Sequence, residues 1–135
     1  MNQQAIDLLQ DSWKKVERIA PQAAAFFYQN LFSADPSLKP LFKGDMADQG
    51  KKLMQMIGMA ISTFNDQETL VPALQNLAKR HVGYGVRESQ YATVGDALLK
   101  TLGQGLGGDF TPSVKQAWAD AYGLMAAVMI AAAQS

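Results

Sequence analysis

The sequence predicts an all-α domain of six or seven helices. Apolar residues recur at steps of three and four through each long segment, and no segment alternates convincingly with period two. No Asn-Gly or Asp-Gly hairpin turn and no internal repeat is present. The helices are unequal in length and irregularly broken, which favours crossed packing over a four-helix bundle of matched rods. With 135 residues, 48% of them hydrophobic, the chain can bury one sizeable core, so a single domain over 1–135 is expected.

The elements follow in order. Ile6, Leu9, Trp13, Val16 and Ile19 make the stripe of a first amphipathic helix that ends before Pro21. Pro21 opens a second helix running to about Phe32, where Phe26, Phe27, Tyr28, Leu31 and Phe32 cluster. Asp35 can cap a short helix with Pro36 in its first turn, ending near Pro40-Leu41-Phe42, and Gly44 and Asp45 mark a loop. From about Asp48 a stripe of Gln49, Leu53, Ile57 and Ile61 begins, widened by Met54, Met56 and Ala60. Asn65 and Asp66 close it and can cap the next helix, whose opening turn holds Pro72.

That helix carries Leu70, Leu74, Leu77 and His81 on one line and stops in the glycine-rich run 82–86. Ser89 starts another, with Tyr91, Val94, Leu98 and Leu102 leading to a break at Gly103. Thr111 as N-cap and Pro112 at the first helical position open the longest helix, striped by Val114, Trp118, Tyr122, Met125 and Met129 to about Ala133.

Composition prunes the functions. Lys plus Arg and Asp plus Glu both number 12, so charge gives no reason to expect nucleic acid or an anionic membrane. No stretch approaches the length of a membrane span and the start lacks the pattern of a secretory signal, so a cytoplasmic location is expected. Absence of cysteine excludes disulfides, thiolate metal sites, thiol nucleophiles and covalent haem attachment. With one histidine and no His-Glu-x-x-His spacing, a zinc centre is not expected. The run 103–108 is glycine-rich but follows a helical pattern and lacks the Gly-Lys-Ser/Thr ending of a phosphate loop, and no Gly-x-Ser-x-Gly nucleophile turn occurs.

His81 is the one histidine, and its line of leucines turns it toward the core. Two readings stand open from this helix alone: a core imidazole bonded to a neighbour, or the protein ligand of a buried metal or haem iron.

Several segments carry a resemblance: Phe27-Tyr28-Gln29-Asn30-Leu31-Phe32, Pro40-Leu41-Phe42, Lys79-Arg80-His81, the stretch Tyr91 to Leu99, and Trp118-Ala119-Asp120-Ala121-Tyr122-Gly123. In this order the chain resembles, over nearly its whole length, the bacterial single-domain globins related to the haem domain of flavohaemoglobins. The resemblance implies a globin fold with 3-over-3 packing around non-covalent haem b. It implies His81 as the proximal iron ligand, and with no second histidine a bis-histidine haem is excluded. It makes Tyr28 and Gln49 distal hydrogen-bond donors, Leu53 a neighbour of the bound gas and Phe42 a ring stacked on the haem. Tyr91 matches a tyrosine beside the proximal histidine, and Leu77, Val86, Val94, Trp118 and Met125 complete the expected haem-pocket wall. Core packing is the alternative for each of these side chains, and solvent exposure for Gln49.

The sequence departs from that family in one place. A glutamate late in the last helix of flavohaemoglobin-like chains falls within Ala131-Ala132-Ala133 here, which weakens a peroxidase-like reading. The expected function is reversible binding of dioxygen, with carbon monoxide and nitric oxide as further ligands. The enzymatic alternative is nitric oxide dioxygenation, and no flavin or nicotinamide domain lies within the 135 residues, so a separate reductase is expected. A haem-free or sensor globin, or a b-type cytochrome using His81 and a methionine, is the third alternative.

Overall fold

The computed structural model describes residues 2–42, 44–83 and 88–134. Six α-helices and two 3-10 segments account for nearly all of them: α1 (Gln3–Glu17), α2 (Ala20–Ala34), a 3-10 turn (Pro36–Leu41), α3 (Met46–Ser62), α4 (Gln67–Gly83), α5 (Glu88–Leu106), a 3-10 turn (Gly107–Asp109) and α6 (Pro112–Ala133). No strand occurs among the described residues.

Side-chain caps set several starts. Asn2 Oδ1 accepts from the Ala5 amide at 2.9 Å, Asp45 Oδ1 from Ala47 at 2.8 Å and Thr111 Oγ1 from Val114 at 3.2 Å, each satisfying a donor that the first helical turn cannot. Asp35 does the same for the short segment, and Asp66 for Thr69 at the head of α4.

Some boundaries differ from those read in the sequence. The first helix stops at Glu17, and Ile19 stands at the N-cap position of α2 instead of extending the first stripe. The third helix begins at Met46 because Asp45 caps it, ahead of the first stripe residue. Pro72 is the sixth residue of α4, in its second turn. The largest correction concerns Gly103, which does not end α5. The helix continues to Leu106, and the chain turns at Gly107, whose φ of +55° suits glycine. Gly103 and Gly105 serve packing instead: a Cβ there would stand 3.4 Å from Phe110 Cδ2 and 3.2 Å from Ile19 Cδ1.

The helices pack crosswise. The closest packing is where α2 crosses α5 and α4 crosses α6; α1 touches α5 and α6, which also touch each other, and α3 lies on α1 and α2. At the first crossing buried Asn30 donates to Thr101 Oγ1 at 3.1 Å and Gln104 Oε1 at 2.8 Å, while the Thr101 hydroxyl donates to the Ala97 carbonyl. The α2–α3 crossing is close because Gly50 has no Cβ, which would lie 2.9 Å from that of Ala24.

Trp118 of α6 is fully buried, its ring centroid 6.0 Å from that of Trp13. Its indole Nε1 donates to Ser12 Oγ of α1 at 2.8 Å. Ser12→Ala should therefore lower stability by about 1–3 kcal/mol, the cost of leaving a buried donor unsatisfied. Urea unfolding checks this, and an unchanged midpoint would show that the bond contributes nothing net.

Candidate functional site

His81 lies in the last turn of α4 and is half-buried. Its Nδ1 stands 2.8 Å from the carbonyl of Leu77, one turn earlier. A carbonyl can only accept, so Nδ1 carries the proton and the imidazole lone pair resides on Nε2. Burial pulls the imidazole pKa below its usual 6.5, with the Leu77 bond opposing more weakly. The ring is thus held neutral with its tautomer fixed, the form in which histidine ligates a metal.

The imidazole borders an apolar cavity of about 130 Å³. Leu74 and Leu77 precede His81 on the α4 wall, Leu53, Met56 and Ile57 come from α3, and Tyr91 and Val94 from α5. Trp118, Tyr122 and Met125 of α6 close the far side, with Phe27 reaching in from α2. Of the residues proposed from sequence, the structure gathers His81, Leu53, Leu77, Tyr91, Val94, Trp118 and Met125 around this one space.

Three others stand elsewhere. Tyr28 is buried in an aromatic cluster, stacked on Phe32 at 5.9 Å and edge-on to Phe27 at 5.4 Å and Phe42 at 5.3 Å. It lines a separate groove between α2 and α3, of about 890 Å³, and not the His81 cavity. Phe42 and Gln49 are half-buried and border neither space. Phe27 spans the divide, touching Tyr28 on one side and the cavity on the other. Val86 lies outside the described residues.

The cavity also has walls that the sequence reading did not assign to it. Met56, Ile57 and Ala60 belong to the α3 stripe read from the sequence, which gave their inward face but did not assign them to this space. Met59 lies off that stripe, and Gln90, 6% exposed, is a polar residue beside Tyr91; neither had a sequence signal.

The α5 wall is pinned from α6. Tyr122 donates its hydroxyl to the Tyr91 carbonyl at 2.6 Å, and burial raises the pKa of both phenols above the usual 10. Tyr122 lies against Gly95, where a Cβ would come within 2.6 Å of Cε2.

The residues present suit a haem in their chemistry: one neutral imidazole with a fixed tautomer, set in an apolar wall. Cofactor pockets commonly measure roughly 300–1,000 Å³, so a porphyrin requires this cavity to widen. Widening between α3 and α4 disrupts little, since α3 is packed on α1 and α2 and α4 on α6.

Crossed helices around an apolar cavity with one inward imidazole define an all-α fold of the haem-pocket type. A globin family model matches residues 25–129, and the chain belongs to the globin family. It is 31% identical to a neuroglobin of Danio rerio over 136 residues, covering 90% of this chain and 86% of that protein. A bacterial globin from Campylobacter jejuni superposes with a TM-score of 0.85 at 26% identity, covering 98% of this chain and 96% of the other. A hexacoordinated haem protein from an anhydrobiotic tardigrade reaches a TM-score of 0.91 at 15% identity, over 100% and 96% of the two chains, a likeness of fold alone. Globin membership implies haem binding and diatomic gas ligands. Among the described residues no helix is long and apolar enough to cross a membrane.

Gly95→Ala should drive Tyr122 off its seat and lower stability by about 1–3 kcal/mol, the usual range for overpacking. A thermal melt within error of the parent would mean that the ring yields freely. Burial pushes the Tyr28 phenol from 10.0 up to about 12. The folded state then holds its proton more tightly than the unfolded chain, so this contribution to stability is complete below pH 10 and is lost as pH rises toward 12. Tyr28→Phe should flatten the alkaline decline and remove one late-titrating phenol from the tyrosinate absorbance curve.

Proposed function

We propose that this chain is a single globin domain over residues 1–135 that binds haem b and carries dioxygen reversibly. The observation that carries the reading is His81 on the wall of an apolar cavity, with Nδ1–H committed to the Leu77 carbonyl. When bound, ferrous haem would supply a coordination site for a diatomic gas, and carbon monoxide and nitric oxide are ligands of the same class.

The chain's own residues do the rest. His81 Nε2 would hold the haem iron, and the Leu77 carbonyl fixes the tautomer of the ring and strengthens its basicity. Leu53, Met56, Val94 and Met125 line the apolar cavity and would keep water from the iron, slowing its oxidation. Tyr28 and Gln49 are the proposed distal donors, stabilising the partial negative charge on bound dioxygen. Tyr28 lines the α2–α3 groove beside Phe27, so for Tyr28 to donate its side chain has to turn toward the cavity, a rearrangement coupled to the widening that admits the porphyrin. The protein works in the cytoplasm, with its iron kept ferrous by a separate reductase.

Reconstitution with haem should give a Soret band and a ferrous-carbonyl spectrum, both abolished by His81→Ala in a protein that keeps its helical circular dichroism. No Soret band in the parent protein would refute the reading. Tyr28→Phe should speed dioxygen release about tenfold, the equivalent of one hydrogen bond of ~1.4 kcal/mol; an unchanged rate removes Tyr28 from the distal site.

A further inference from the structure

Of the seven methionines, Met56, Met59, Met125 and Met129 border the cavity that His81 faces. Met129 is buried, Met56 and Met125 are half-buried, and Met59 is exposed, at 37%. Met59 therefore meets solvent and cavity at once. Met46 is equally exposed at 38% but borders the α2–α3 groove instead.

The surroundings of the Met59 sulfur are also particular. Thr63 Oγ1 lies 3.8 Å from Sδ, and the same hydroxyl donates to the Met59 carbonyl at 2.8 Å. That carbonyl also accepts from the Ser62 hydroxyl at 3.0 Å and the Thr63 amide at 3.1 Å. The end of α3 is thus held firmly while a hydroxyl donor stands beside the thioether. A sulfoxide oxygen is a far better acceptor than a thioether sulfur, so after oxidation it competes with the Met59 carbonyl for the one proton of this hydroxyl.

We propose that Met59 is an oxidation site for hydrogen peroxide, and that its sulfoxide makes the cavity wall polar and loosens what the cavity holds. The sulfur lone pair attacks one peroxide oxygen; the S–O bond forms as the O–O bond breaks. The departing hydroxide takes the proton from the transferred oxygen and leaves as water. Sulfur gives up two electrons and peroxide gains them. The change converts a flexible apolar side chain into a polar one and is reversed by a thiol-dependent sulfoxide reductase. The effect on haem rests on the haem-binding reading above, whereas the oxidation itself does not.

The test uses the haem-loaded ferrous-carbonyl protein, in which carbon monoxide shields the iron, treated with hydrogen peroxide alone. Peptide masses should show Met59 gaining one oxygen ahead of Met56, Met125 and Met129. Haem transfer to a scavenging apoprotein should then quicken about tenfold, as expected when a polar group enters an apolar wall. Peroxide should leave the transfer rate of Met59→Leu unchanged even though Met46 is still oxidised. Met59→Gln, which places a polar group there without oxidation, should release haem faster than Met59→Leu. Oxidation of Met56 or Met129 with Met59 spared overturns the proposal, as does a fully oxidised Met59 with unchanged release. If the untreated protein takes up no haem, the haem reading fails by itself. Peptide masses and release of an apolar fluorescent dye from the cavity then decide the Met59 proposal by the same criteria.

Discussion

Trp118 connects the stability of this fold to its cavity. Its indole is fully buried, packs against Trp13, and is tied by its N–H to Ser12 across 106 positions of chain. A buried indole donor needs a partner, and Ser12 can supply one only when α1 and α6 cross at that point. Because Trp118 also lines the cavity, the crossing that holds α1 to α6 also sets one cavity wall. α6 in turn carries α4, and with it His81.

From that anchor the division of labour between helices follows. α5 is seated twice, by the Asn30–Thr101–Gln104 network from α2 and by the Tyr122 hydroxyl on the Tyr91 carbonyl. α3 is held from the opposite side, by α1 and α2, with its apolar stripe facing α4 across the cavity. The cavity is therefore the seam between two well-packed groups of helices and not a defect within one. A seam of this kind can open for a flat prosthetic group while the pairs on either side stay intact.

The proximal side of the proposed haem site is better determined than the distal side. His81 has a fixed tautomer and an inward face because both depend on local features, a carbonyl one helical turn back and a continuous leucine line, and the helices packed around it leave the cavity in front of it. Tyr28 and Phe42 instead belong to a cluster of four aromatic rings whose mutual packing turns Tyr28 toward the α2–α3 groove. Aromatic edge-to-face contacts are each worth only about 0.5–1.5 kcal/mol beyond area burial, so a ligand that fills the cavity can compete with them.

The sequence by itself determined the helical class, most helix starts and the inward direction of His81, because caps, prolines and three-to-four periodicity act within a few residues. It also placed Leu53, Leu77, Tyr91, Val94, Trp118 and Met125 on stripes that do converge on one cavity. Tertiary structure decided the rest. Gly103 looked like a helix end, yet it is a contact point for Phe110, since a glycine that permits a turn and one that admits a neighbour read alike in sequence. Tyr28 shares α2 with Phe27, and only the crossing of α2 over α3 at Gly50 determined which of the two adjacent rings borders the cavity. Periodicity fixes the face of a helix, whereas the space that face meets depends on partners far away in the chain.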